Sequence, residues 1–408
     1  MVLKRSALEA AGKRYREEGI SRRVRGIAVS AIKEMPLLAQ NVPGCVSLGQ
    51  GIPSFRTPDH IVEAVCRHLR DESWAGKYTL GPGLPALRQA FAAALHRERG
   101  LDVDPETEVC ITVGAMEGLC AAMLTLVDPG DEVLVPSPNY ASHIEQVLLA
   151  EGVPVFFPLK PKDWQLDPAA LGERISPRTK ALVLCHPHNP TGAVFPEDVL
   201  REVAELALKH GFFIICDETY DFLTYDGLPY FSVLSVPELR RQVIGIFSFS
   251  KKYAMTGWRV GAVTADRDIL DHVMKVHDAA AICAPTPSQV AALAALEGPQ
   301  ECVAHFRDTL QSRRDRVCSR LDRMAPYLSY IRPQGAYYVM VKTPPQAGDS
   351  MTVALRLLHE AKVITIPGNA FGPGGEGHVR LSFGGTEEEL DEAMDRIERW
   401  VLDNTGPQ

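Results

Sequence analysis

Ser248-Phe249-Ser250-Lys251-Lys252-Tyr253-Ala254-Met255-Thr256-Gly257-Trp258-Arg259-Val260-Gly261 follows an apolar run over residues 243–247. The run reads as a buried strand, and it delivers Lys251 to the strand's end. A lysine there is costly to desolvate unless its charge is offset or given up. A buried lysine with a lowered pKa is the usual way an amine becomes nucleophilic enough to form a Schiff base. Eight residues on, Arg259 offers a forked cation suited to a phosphate, and Ser248 offers a hydroxyl donor. On its own, Ser-Phe-Ser-Lys fits a solvated turn better, so the rest of the chain has to decide.

The chain has 408 residues, more than one ordinary core holds, so two domains or one large one are expected. Hydrophobic residues at 46% and charged ones at 23% fit an ordinary globular composition. With 43 Lys plus Arg against 51 Asp plus Glu, the net charge of −8 argues against a nucleic-acid or anionic-membrane partner. Nine cysteines, an odd number, carry no CxxC pair and no metal-ligand spacing with histidine. Reduced thiols fit better than a secreted disulfide framework. No apolar stretch is long enough to span a bilayer, and no sustained apolar segment follows the basic Ser21-Arg22-Arg23. The expected setting is the cytoplasm, with no membrane, no nucleic acid and no metal.

A charged, helix-prone stretch over residues 4–18 opens the chain, followed by Ile27, Val29, Ile32 and Met35. From about residue 105 the pattern becomes strand, loop, helix, repeated. Apolar runs at 109–113, 132–135, 153–157, 181–185, 212–216 and 243–247 read as strands, with helical segments at 114–127 and 199–208 among them. Such runs with helices between them mean a mostly parallel sheet covered on both faces. Beyond residue 285 a helical pattern runs over 288–324, with Gly298-Pro299 as a break. Strands at 336–341, 363–367 and 378–383 then alternate with helices at 351–361 and 386–402.

Gly114, Asn189, Asp217 and Lys251 each fall just past the end of one of those strands. In open parallel α/β sheets that edge is where ligands bind. Gly114-Ala115-Met116 opens a helix, and the free N–H groups of a helix N-terminus suit phosphate, although any strand-to-helix turn carries small residues. Asp217 is a helix cap or a functional carboxylate. Arg380, amid the strand residues 378–383, needs an anion if buried, and a carboxylate matches its fork; a salt bridge within its own domain is the alternative.

The lysine stretch resembles the lysine signature of the fold-type I, class I aminotransferases. Other segments resemble further motifs of that family, in the same order. They are Leu48-Gly49-Gln50-Gly51-Ile52-Pro53-Ser54-Phe55-Arg56-Thr57-Pro58, Tyr78-Thr79-Leu80-Gly81-Pro82-Gly83-Leu84-Pro85, Pro136-Ser137-Pro138-Asn139-Tyr140, His188-Asn189-Pro190-Thr191-Gly192 and Asp217-Glu218-Thr219-Tyr220. The likeness covers roughly residues 45–400.

The resemblance implies an α/β fold, the fold-type I transferase, in which a large domain with a mostly parallel sheet between helices is joined to a smaller α/β domain. Residues 56–287 would form the large domain, 288–408 the small one, and 1–55 an arm joining the latter. It implies pyridoxal 5′-phosphate (PLP) held as a Schiff base on Lys251, with Asp217 pairing its pyridine nitrogen, Tyr220 and Asn189 its 3-oxygen, and Tyr140 stacked on its ring. Gly114, Ala115, Met116, Ser248 and Arg259 would hold the phosphate, together with Tyr78 from a neighbouring subunit. Arg380 would clamp the substrate α-carboxylate, with Gly51 and Asn189 lining the substrate side. Lys251, Asp217 and Tyr220 are thus the expected catalytic residues of a homodimer with shared active sites, which passes an amino group between an L-amino acid and a 2-oxo acid. Elimination or decarboxylation on the same scaffold, and a PLP-binding regulator without turnover, are the alternatives.

His186 stands where the family more often has asparagine, and a structural role is expected for it. Some dicarboxylate-specific members place a second arginine before the long helix. Residues 279–286 here contain none, which favours a neutral or aromatic amino donor.

Overall fold

In the computed structural model, the strands Thr179–Cys185 and Phe213–Asp217 show how this sequence makes a covered sheet. Leu182, Leu184, Ile214 and Cys216 enter one apolar layer, while Ala181, Val183 and Ile215 enter the other. Side chains alternate across a strand, so an unbroken apolar run needs cover on both faces. The helices Gly114–Leu126 and Arg267–Ala281 supply it on one side through Leu119, Met123, Leu270 and Val273. Pro85–Arg99, Glu197–His210 and Thr286–Glu297 supply it on the other through Phe91, Leu95, Val203, Ala207 and Ala292. The structure describes residues 19–27 and 31–405; the stretch 4–18 and Val29 lie outside the described residues.

Among the described residues the main sheet has seven strands. From one edge they are Val109–Thr112, Gly261–Ala265, Val243–Ser248, Phe213–Asp217, Thr179–Cys185, Glu132–Ser137 and Val153–Pro158. All run the same way except Gly261–Ala265, which is antiparallel to both neighbours. The sequence did not announce that strand, because Gly261, Ala262 and Ala265 are small and read as the tail of the lysine stretch. The structure explains the smallness: a Cβ at position 261 would lie 2.6 Å from the Ala115 amide nitrogen and 2.6 Å from the Phe247 carbonyl.

A second sheet orders Ile366–Pro367, His378–Ser382, Tyr338–Lys342 and Ser329–Tyr330, all antiparallel. Val46–Ser47 and Val363–Ile364 form a separate parallel pair. The strand expected over 363–367 is therefore two strands with different partners, divided at Thr365. The helical pattern over 288–324 likewise divides at Gly298-Pro299 into Thr286–Glu297 and Glu301–Arg323. The helix expected over 351–361 is Ser350–Arg356 followed by a wider turn, Leu357–Ala361, which closes on left-handed Lys362. The last expected helix is Glu387–Thr405. Asp217 is the final residue of its strand rather than the first beyond it.

Candidate active site

A cavity of about 210 Å³ opens at the carboxyl edge of the parallel strands, and residues from both larger sheets line it. Lys251 reaches it from the helix Phe249–Lys252 that ends the strand Val243–Ser248, and its Nζ donates to the Gly51 carbonyl at 2.5 Å. Burial, then the nearby Arg380 and Arg259 cations, push the amine down to about 8, against the opposing pull of Asp217. Lys252 is turned away and pairs with Glu98 at 2.6 Å. Adjacent positions on one helix point about 100° apart, so only Lys251 of the two enters the cavity.

Asp217 is buried, and both of its oxygens are engaged. Oδ2 faces His143 Nε2 at 3.1 Å, and Oδ1 accepts from the Thr219 amide at 3.1 Å and from the Thr219 hydroxyl at 2.6 Å. His143 is itself fully buried, on the helix Ala141–Leu149 that begins just after Tyr140. The Tyr220 and Tyr338 hydroxyls lie 2.8 Å apart, and burial holds both phenols up in their neutral form. Tyr337 donates to the Gly51 carbonyl at 2.8 Å, so this carbonyl accepts from Tyr337 and Lys251 together.

Arg380 is 2% exposed. Its Nη1 donates to Asn189 Oδ1 at 3.1 Å and its Nη2 to the Gly49 carbonyl at 2.7 Å, while the guanidinium lies over the rings of Tyr338 and Phe371. Its Nε is buried without a hydrogen-bond partner among the described residues, and no carboxylate there pairs with it. A buried, unneutralised guanidinium calls for an incoming anion.

The other end of the cavity is shaped for a second anion. The helix Gly114–Leu126 directs the free amides of its first turn there, and Ala115 and Met116 line the wall. Gly114 has a left-handed backbone (φ +74), and a Cβ on it would come within 2.6 Å of Arg259 Nη2. Only glycine therefore lets the guanidinium close on the helix terminus. Ser248 accepts from the Ser250 amide at 3.1 Å, which leaves its hydroxyl hydrogen for another partner. A lysine amine, a carboxylate held at a strand end and a helix terminus with an arginine fit the aldehyde, the ring nitrogen and the phosphate of PLP.

Eleven of the thirteen residues singled out in the sequence line this one cavity: Gly51, Ala115, Met116, Tyr140, Asn189, Asp217, Tyr220, Ser248, Lys251, Arg259 and Arg380. Gly114 sits against Arg259 just behind its wall. Tyr78 does not reach it within its own chain and is 77% exposed. Sequence reasoning missed Ile32, Leu119, Thr219 and Tyr338 in the lining and His143 behind Asp217. A helical phase drawn from Tyr140 places His143 one turn on, a usable signal. Ile32 had no such signal. His186 is buried between the Phe195 and Tyr230 rings, and burial pushes it down to about 3, so it is a neutral core histidine.

The family model for aminotransferase class I and II matches residues 43–397. The chain is 35% identical over 383 residues to aromatic-amino-acid aminotransferase 2 of Thermococcus litoralis, covering 93% of this chain and 97% of that one. It is 38% identical over 390 residues to the aspartate/prephenate aminotransferase of Thermus thermophilus, covering 93% and 98%. The solved aspartate aminotransferase from Thermus thermophilus with maleate matches the fold with a TM-score of 0.87 at 38% identity, over 94% of this chain and 99% of that one. The aromatic aminotransferase from Pyrococcus horikoshii matches with a TM-score of 0.85 at 34% identity, over 91% and 99%. A PLP-dependent fold-type I transferase is thus the class that fold and cavity define. Within it, the chain belongs to the class I and II aminotransferases, and it exchanges an amino group between an amino acid and a 2-oxo acid.

Proposed function

We propose that Lys251 both carries the cofactor and moves the proton, while Asp217, Tyr220, Asn189, Arg259 and Arg380 fix what it acts on. The observation that carries this reading is the shared cavity of an amine pushed down to about 8 and a buried, unneutralised arginine. When bound, PLP supplies a protonated ring that takes up the electrons left as a bond at the substrate α-carbon breaks. Arg380 orients the α-carboxylate with the N–H left on each Nη, since Asn189 and the Gly49 carbonyl take one apiece. Lys251 Nζ, neutral in a larger fraction than an ordinary lysine, would take the proton from the substrate α-carbon and return it across the intervening nitrogen, two bonds away. Asp217, steadied by His143 and Thr219, holds a proton on the ring nitrogen. Tyr220 and Asn189 face the 3-oxygen, and Tyr140 covers the ring.

The amides of Ala115 and Met116, with Ser248, Arg259 and Gly114 behind it, hold the phosphate. A second copy of the chain completes the site with Tyr78, in a homodimer with shared active sites. The exposure of Tyr78, Leu80 and Ile282 at 77%, 70% and 47% supports this reading. Residues 56–287 act as the cofactor domain, and 288–408 with 1–55 as the part that brings Arg380. Nine free thiols support a reducing, cytoplasmic setting.

The amino donor is neutral or aromatic. Ile32, Met116, Leu119, Tyr140 and Tyr338 line the cavity, and among the described residues its cations are Lys251, Arg259 and Arg380. Relatives named for aspartate/prephenate and for aromatic amino acids make a panel of both kinds the informative one. Borohydride reduction and peptide mapping test the centre of the assignment. Label on Lys251 supports it, and label on Lys252, or none, ends it.

A further inference from the structure

Behind the proposed phosphate site lies a fully buried histidine that the chemistry above does not use. His277, on the helix Arg267–Ala281, points both ring nitrogens at acceptors. Nδ1 lies 3.1 Å from each Glu117 carboxylate oxygen, and Nε2 lies 3.1 Å from the Gly81 carbonyl. A neutral imidazole has one N–H and one lone pair. Whichever tautomer it took, a lone pair would face either a carboxylate or a carbonyl. Only the imidazolium satisfies both partners.

Those partners belong to two elements proposed to hold phosphate, the helix in its own chain's site and the Tyr78 loop in the second copy's site. Glu117 is in the first turn of the helix Gly114–Leu126, and its Oε2 also accepts from the amide of Val113, the residue capping that helix, at 3.1 Å. Gly81 belongs to the loop that carries Tyr78. The helix Thr286–Glu297 pins that loop on both sides: Thr286 donates to the Lys77 carbonyl at 2.6 Å, and Gln289 bonds Thr79 at 2.9 Å and the Leu84 amide at 2.7 Å. At Gly81 the side-chain tie is His277.

Resting on the reading of Gly114–Leu126 and Tyr78 as phosphate-holding elements, we propose that His277 is a positioning residue. Its proton ties the Tyr78 loop, which serves the second copy's site, to the first turn of the helix, which serves its own, so the grip on the cofactor phosphate in both sites loosens when that proton leaves. The charged groups facing the ring are Glu117 from the helix and Asp278 from its own; the loop offers a backbone carbonyl. The Cys110 and Cys120 thiols beside Glu117 are held neutral by burial. Burial alone would depress His277, but the Glu117 carboxylate, the Gly81 carbonyl and Asp278 outweigh it and hold the imidazolium above its ordinary range. The tie is therefore complete below the ordinary histidine value of about 6.5 and is lost as pH climbs through the raised one.

Nitrogen shifts of His277 in the wild-type protein, with and without PLP, read the proton directly. Both ring nitrogens should report N–H at about pH 6.5. A neutral ring there overturns the proposal without any variant. PLP release is then compared between wild type and His277→Gln across pH. The substituted amide keeps a donor and carries no charge, so release should be faster by about tenfold at low pH, the worth of one charge-assisted hydrogen bond. The ratio should fall towards one as wild type loses its own proton, while kcat at saturating PLP stays near wild type. Any contribution from Lys251 is common to both proteins and cancels in that ratio. A ratio that does not change with pH refutes the tie. Glu117→Gln should move the wild-type release midpoint to lower pH, and an unmoved midpoint counts against it. Arg259→Ala separates the two readings. If it speeds release and His277→Gln does not, only the tie fails; if neither does, the phosphate assignment fails with it.

Discussion

Arg380 Nη1 donates to Asn189 Oδ1 at 3.1 Å, across 191 residues of sequence and between the two larger sheets. Asn189 follows a central strand, whereas Arg380 sits within the antiparallel sheet, paired with Met340 and Ile366. This bond fixes the guanidinium from the side of the proposed cofactor oxygen and leaves a second N–H on each Nη for a substrate carboxylate.

Arg380→Ala should cost productive amino-acid binding while the PLP spectrum stays near normal. Removing one partner of a buried, charge-assisted pair costs about 2–5 kcal/mol, so kcat/KM should fall by about 30-fold or more. Steady-state kinetics with a panel of donors reads this. Wild-type kcat/KM in the variant would make Arg380 a structural residue.

Asp217→Asn should lower the rate of proton abstraction far more than substrate binding, because the carboxylate acts on charge that develops after binding. The loss expected for a preorganised electrostatic partner is about 10²-fold or more. Single-turnover spectroscopy of the bound cofactor checks it. An unchanged rate constant would reduce Asp217 to a partner for Thr219 and His143.

The pH dependence of cofactor capture by PLP-free protein should follow the Lys251 amine. Its protonated form is disfavoured by burial and by Arg380 and Arg259, so the nucleophilic neutral form should appear with a midpoint of about 8. Arg380→Ala removes a positive neighbour and should raise that midpoint; Asp217→Asn removes a negative one and should lower it. The linked stability has the matching sign. The folded value lies below the unfolded 10.5, so PLP-free protein gains stability as pH rises from about 8 towards that value. Rapid-mixing absorbance across pH measures the capture midpoints.

Refolding Lys251→Ala together with Tyr78→Ala should yield more activity than either variant refolded alone. In each hybrid dimer one site takes both defects, and the other combines an intact Lys251 with an intact Tyr78 from the second copy. Hybrids that form without that gain, while Tyr78→Ala alone is impaired, would place Tyr78 in its own chain's site.

The central sheet was legible because its strands are buried on both faces and so spell themselves as unbroken apolar runs, as at Ile214–Ile215–Cys216. The converging polar residues were legible because each lies at, or within a few residues of, the end of such a run. Gly261–Ala265 was not, since close backbone approach to Ala115 and Phe247 demands small residues that carry no strand pattern. Tyr338 was hidden for another reason: its relation to Tyr220 spans 118 residues, and no local periodicity encodes it. The split of 363–367 depends on which partner each half meets, which is tertiary information as well.

The bond from Arg380 to the Gly49 carbonyl closes a loop of 331 residues, whereas Lys251 and Arg259 lie eight residues apart on one turn. Loop-closure entropy grows with the logarithm of length, so the first contact costs about 3 kcal/mol more than the second to form in a flexible chain. Contacts of that separation slow folding and come late in it. During synthesis the strands carrying Asp217, Lys251 and Arg259 emerge well before residue 380, and chains generally fold from the N-terminal side first. A ribosome-bound chain ending soon after the strand Gly261–Ala265 thus carries every side chain proposed to face the cofactor from its own chain, and still lacks Arg380, the arginine proposed to hold the substrate carboxylate, and the helices Arg267–Ala281 and Thr286–Glu297 that cover the sheet.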